Sequence, residues 1–253
     1  MTETARPDLA PVSDLSAAQR RSPWRYFFVG LAIYYVAVAA VGFTPSYLEF
    51  VAGKFPIEPI VHLHGAIMAT WLALLIAQTS LAASGGIALH RRLGVASTVL
   101  APLVWIGMCV LVVNALHRDR PAADSFLYDV LLAQLSVILL FPLFFISGFR
   151  ARRRPEVHRR LMIFAAAVLL QAAIDRMMWL PGITLPSFWG HTFWLLTLTL
   201  SPLVAFDLVT LRRVSPVTLG GVAVIGAVHL VCALLWQNPA WHAFAFGLTA
   251  PLR

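Results

Sequence analysis

Seven runs of about twenty apolar residues divide this chain, and they admit one kind of fold. They lie at about 25–43, 62–83, 94–116, 126–149, 160–180, 190–211 and 216–236. A stretch of that length crosses the hydrocarbon core of a bilayer as an α-helix, which satisfies its own backbone hydrogen bonds without water. Only 12% of the residues are charged, against about 25% in a typical soluble domain, and 60% are hydrophobic. The mean hydropathy is +0.80. A soluble enzyme is excluded on this composition. The expected fold is all-α: an integral membrane helical bundle of about seven transmembrane helices, forming one domain over 24–253. Residues 1–23 are polar and rich in Pro, Ala and Ser, and read as a flexible cytoplasmic tail. The first apolar run lacks a small-x-small cleavage site and is too long for a signal-peptide core, so it reads as a retained span. Pro and Gly mark the gaps, as in "TPSY", "RRRPE", "LPGITLPSFWG" and "RRVSP".

The net charge of +8 is almost wholly arginine, since Lys54 is the one lysine. Such a balance suits nucleic acid, but the arginines sit in short gaps between apolar runs, where they act as topology signals. Fourteen flank one side of the membrane. The other side has Lys54, Arg118, Arg120 and Arg253, and Arg176 falls inside the fifth run. The positive-inside rule then places the N-terminus in the cytoplasm and the C-terminus outside. Trp179, Trp189, Trp236 and Trp241 fall at the outer boundary, where an aromatic belt is expected. Cys109 and Cys232 lie in apolar runs, with no CxxC and no disulfide framework. A seven-helix retinal protein is excluded, because it needs a lysine in its last helix and Lys54 is in an outer loop.

The histidines sort by side. His62 and His64 open the second span, His117 closes the third, His191 opens the sixth, and His229 lies in the outer half of the seventh; His242 follows in the outer tail. Asp129, Asp175 and Arg176 lie at the same level. His62, His64, His117, His191 and His229 are therefore candidate ligands for an outer metal, although HLH points two side chains about 160° apart on a regular helix. His64, Trp71 and Gln78 follow in seven-residue steps, each of which returns a helix to within about 20° of the same face. Arg176 lies eighteen residues after His158, five turns along one helix and about 27 Å away on the same face. Its candidate partners are Asp175, Asp129 and His229, and its alternatives are snorkelling to the interface or clamping an anion beside a cofactor. Asp207 is expected to pair with nearby Arg212. Asn114, Gln134 and Gln171 are expected to link helices.

The remaining two histidines belong to a repeat. "HRRL" occurs at 90–93 and again at 158–161. Each copy sits in a hairpin between two apolar runs, which suggests parallel duplication of a two-helix unit. A pseudo-twofold bundle would bring His90 and His158 face to face, as two imidazoles do across a haem iron. The neighbouring arginines suit haem propionates. HExxH, CxxCH and HxxHH clusters are absent.

"HLHGAIMATWLALLIAQTSLAASGGIALHRRLG" followed by "RRPEVHRRLMIFAAAVLLQAAIDRM" resembles a set of uncharacterised bacterial multi-pass inner-membrane proteins. These carry H…G…W…Q…HRxLG in one hairpin and HRxLM…R in the next. The resemblance covers about residues 62–176 and implies a helical bundle in the bacterial inner membrane. It extends loosely to cytochrome-b-like bundles, though here the fourth span opens "FLYD", with no histidine to match His64.

Three functions fit these residues. The first is a redox or electron-transfer protein holding haem b or a transition metal, with His90, His158, His64 and Arg176 around the cofactor and a membrane redox partner or quinone. The second is a transporter or small-ligand binder with an outer-leaflet pocket of His64, Arg176, Asp175 and His229, flanked by Asp129, Trp71 and Gln78. The third is an assembly subunit of a membrane complex. The lipid bilayer is the common partner, and nucleic acid is none of them.

Overall fold

The computed structural model describes residues 23–54, 56–180 and 188–252. Among these the regular structure is entirely helical. Seven helices are long and apolar enough to cross a membrane: Trp24–Val51, Pro59–Ser84, Ile87–Asp119, Leu127–Arg153, Pro155–Ile174, Thr192–Leu211 and Pro216–Leu235. The expected tail before residue 23 lies outside the described residues. We name the helices α1 (Phe27–Val51), α2 (Pro59–Ser84), α3 (Ile87–Asp119), α4 (Leu127–Arg150), α5 (Pro155–Val168), the short α6 (Gln171–Ile174), α7 (Phe188–Leu211), α8 (Pro216–Leu235) and α9 (Pro239–Leu248).

Local chemistry explains the ends. Proline opens α2, α5, α8 and α9, where a missing N–H costs nothing and the fixed φ already suits a helix. Ser215 and Asn238 add side-chain caps to α8 and α9. Gly85 ends α2 at φ 88°, a left-handed turn that glycine takes without strain, and the chain reverses at once into α3.

Prolines inside spans free a carbonyl four residues back, and at Pro142 and Pro202 a side chain occupies it. Pro142 cannot donate to Ile138, whose carbonyl instead accepts from the Trp105 indole Nε1 at 2.9 Å. Pro202 frees Leu198, whose carbonyl accepts from Ser201 Oγ at 2.7 Å.

The core is centred on α5. Six consecutive residues, Ile163–Val168, are at most 1% exposed, so helices surround it on all sides. Its alanines let neighbours approach closely. Gly221 of α8 lies against the Phe164 ring, and a Cβ there would sit 2.3 Å from Cε2. The bundle's two tight hairpins are α2–α3 and α4–α5. Gln171 bridges α6 to α4, with its Nε2 donating to Ala133 O at 3.1 Å and Ser136 Oγ donating to its Oε1 at 3.4 Å. That is the helix-linking role expected of it. Asn114 plays the same role between α3 and the residue before α2, donating to Glu58 at 2.6 Å. Asn114 and Arg118 together hold the Glu58 carboxyl below its ordinary range.

Boundaries depart from the sequence expectation in two ways. The third and fifth spans begin at Ile87 and Pro155, before the expected 94 and 160, so His90 and His158 are each the fourth residue of a helix, in α3 and α5. The fifth span is also not one continuous helix to residue 180. It breaks after Val168 and resumes as α6.

Trp105→Phe leaves the Ile138 carbonyl without a donor in an apolar setting, and is expected to destabilise the protein by about 1–3 kcal/mol. Gly221→Ala is expected to cost about 1–3 kcal/mol through overpacking against Phe164. Thermal unfolding of detergent-purified protein, followed by circular dichroism, checks both, and an unchanged melting temperature contradicts them.

Candidate functional site

The two hairpins bring His90 and His158 together. Their ring centres are 6.3 Å apart and their planes nearly perpendicular, at 86°. Each ring is half-buried. Each is anchored in the same way, to a backbone carbonyl of the other helix in its own hairpin: His90 Nδ1 to Gln78 O at 3.2 Å, and His158 Nδ1 to Gly148 O at 2.8 Å. A carbonyl only accepts, so Nδ1 carries the proton in both rings. Nε2 of each neutral imidazole then holds a free lone pair. An N–H committed to a carbonyl is the usual outer support of a metal-bound histidine. The equivalence extends to position, since both are fourth residues of their helices and both backbone N–H groups close the first helical bond, to Gly86 O and Arg154 O.

The arginines of the repeat are not equivalent. Arg91 and Arg92 are exposed. Arg159 pairs with Glu156 and lies over the rings of Phe28 and Phe206, at 4.8 and 5.5 Å. Arg160 is 1% exposed and Asp207 is fully buried. Arg160 pairs with Asp207 Oδ1, with its Nε at 3.1 Å, and its Nη1 donates to the Glu156 carboxylate at 2.7 Å and the Glu156 carbonyl at 2.8 Å. Asp207 Oδ2 accepts from Ser215 N at 3.0 Å and Thr218 Oγ1 at 2.5 Å. This overturns the expected Asp207–Arg212 pair. Arg160 read as a topology signal in the sequence, yet it ties α5 to α7 and α8.

The α2 stripe is real and faces inward. Trp71 is 3% exposed and packs edge-on against Phe141 and Phe145 of α4, at 5.2 and 5.7 Å. His64 faces Gly107 of α3, where a Cβ would lie 3.0 Å from Nδ1, and Gln78 faces Gly94, at 3.6 Å from Nε2. His64 Nδ1, Trp71 Nε1 and Gln78 Oε1 are all buried without a hydrogen-bond partner.

The opposite end of the bundle does not assemble the other candidates. His62 is exposed, its ring 5.2 Å from Phe50, and His117 is exposed in the last turn of α3. His229 is buried beside the Phe193 ring. His191 falls in the first turn of α7, where side chains lie outside the described residues. Among the described residues no three His, Cys, Asp or Glu side chains converge on one point. Asp129 serves α9 instead: its Oδ1 accepts from Gln237 N at 2.8 Å and meets His242 Nε2 at 3.1 Å. Trp241 also joins this contact, donating to Tyr128 O at 2.9 Å, so it packs beneath α9 instead of forming part of a belt. Asp175 accepts from Thr192. Arg176 is exposed, donates to Ala172 O at 2.6 Å and lies over Phe43. The span that carries His158 turns at Leu169–Leu170 and ends at Ile174, so Arg176 lies beyond it.

No protein-family model matches the chain, and no curated protein or solved structure is significantly similar to it.

Asp207→Ala removes the buried counter-charge of Arg160 and leaves it only the exposed Glu156 carboxylate, with an expected loss of about 3–5 kcal/mol. Arg212→Ala, at an exposed position, is expected to change stability by less than about 0.5 kcal/mol. Comparing the two variants in chemical denaturation identifies the true partner of Asp207.

Proposed function

We propose that this protein is a membrane redox protein whose centre, haem b or another redox-active transition metal, is held between His90 and His158. The reading rests on one observation: two half-buried imidazoles meet across the bundle, and each has its Nδ1–H anchored to a hairpin carbonyl. With ring centres 6.3 Å apart, the two imidazoles are close enough that both would hold one ion, for which metal–nitrogen bonds are about 2.0 Å. The donor set, two neutral imidazoles, suits haem iron or copper. Bound there, such a group supplies one-electron transfer to a membrane partner or quinone.

The chain's own residues orient and shield the centre. Gln78 O and Gly148 O set the tautomer and plane of each ring. Trp71, Phe141 and Phe145 form an aromatic wall on the side towards the membrane interior. Arg91 and Arg92, exposed one and two residues after His90, are available to propionates or to an acidic partner. The arginine-rich end faces the cytoplasm in this reading, with the chain in the bacterial inner membrane.

Detergent-purified protein is expected to show a Soret band, or a stoichiometric transition metal by elemental analysis. His90→Ala and His158→Ala are each expected to abolish it, whereas His62→Ala and His117→Ala retain it. A colourless, metal-free wild-type protein overturns the proposal.

A further inference from the structure

The side-chain polar atoms of the α2 stripe take no part in holding that centre. Three buried polar atoms without partners lie on one stripe of one helix: His64 Nδ1, Trp71 Nε1 and Gln78 Oε1. Successive residues of the stripe are about 10.5 Å apart along the axis, so it runs about 21 Å. It begins near the end of α2 remote from the HRRL motifs and reaches Gln78, whose carbonyl anchors His90.

A polar group dehydrated in hydrocarbon without a partner costs several kcal/mol. A single orphan is tolerable, but three in register on the inward stripe of one span indicate a shared partner. The facing surface of α3 is glycine at two of the three levels, Gly107 opposite His64 and Gly94 opposite Gln78. The partner is small and must both donate and accept, because Trp71 offers only a donor and Gln78 Oε1 only an acceptor. Water meets both demands, and helix carbonyls with a second lone pair supply its remaining bonds.

We propose that bound water lines the His64–Trp71–Gln78 face of α2, forming a hydrated file that brings protons through the bundle to the His90–His158 site. The file itself follows from the unpartnered atoms; only its destination rests on the redox reading.

Exchange of the Trp71 indole N–H in D2O tests the file, using ¹⁵N-tryptophan-labelled protein in detergent. Its resonance is assigned by its absence in Trp71→Phe. The Trp105 indole, bonded to Ile138 O, is the protected control. Trp71 is expected to exchange at least tenfold faster than Trp105; exchange as slow as the control overturns the proposal. Gly107→Ala places a methyl group against His64 Nδ1 and is expected to slow Trp71 exchange at least tenfold. An unchanged rate there rules out passage by way of His64 and overturns the file as drawn. In protein that holds the centre, Gly107→Ala is expected to slow proton uptake on reduction at least tenfold, at unchanged metal content. Unaltered uptake overturns the proton role. If the protein holds no metal, the redox reading fails, while the indole exchange still decides for or against the water file.

Discussion

The buried pair of Arg160 and Asp207 is the contact from which the rest of the arginine-rich end takes its position. A guanidinium and a carboxylate are stable in an apolar interior only when each other's charge and every remaining donor and acceptor are answered. Here Glu156, Ser215 and Thr218 complete the set. The result locks the first turn of α5 against α7 and the start of α8. His158 lies two residues before Arg160 on that same turn. The placement of one imidazole is thus inherited from an ion pair that never touches it.

Much of this architecture was legible beforehand, for simple reasons. Apolar run length reports membrane crossing directly, so the seven spans stood out. The seven-residue step from His64 to Trp71 to Gln78 placed three side chains on one inward face, and they are there. The HRRL repeat placed His90 and His158 at equivalent ends of two hairpins, where they meet. What escaped was long-range or silent. Asp207 lies 47 residues from Arg160, and a nearer arginine, Arg212, drew the expectation. Arg160 has the same sequence surroundings as Arg92, and only burial separates them. The break after Val168 has no proline or glycine beside it to announce it. Arg176, two residues past the end of the fifth span, rests against Ala172 O and the Phe43 ring.

The two ends of the bundle obey different logic. At the end remote from the HRRL motifs, polar residues close on one another: Glu58 with Asn114 and Arg118, Asp129 with Gln237 and His242, Asp175 with Thr192. These pairs hold helix ends together. At the HRRL end, the two imidazoles are anchored through one nitrogen each and keep the other in reserve. That difference, more than the number of histidines at either end, separates a structural cluster from one with chemistry to spare.

The matched hairpins carry a further meaning. Each holds one anchored imidazole, and the two rings meet along the seam between the hairpins. In an isologous dimer the same patch on two subunits faces itself: residue i of one meets residue j of the other and j meets i, and a residue on the axis meets its own copy. His90 and His158 stand in that relation within a single chain. Their covalent connection removes the cost of finding a partner. Arg91 and Arg92 of one copy are at the surface, while Arg160 of the other is turned inward against Asp207.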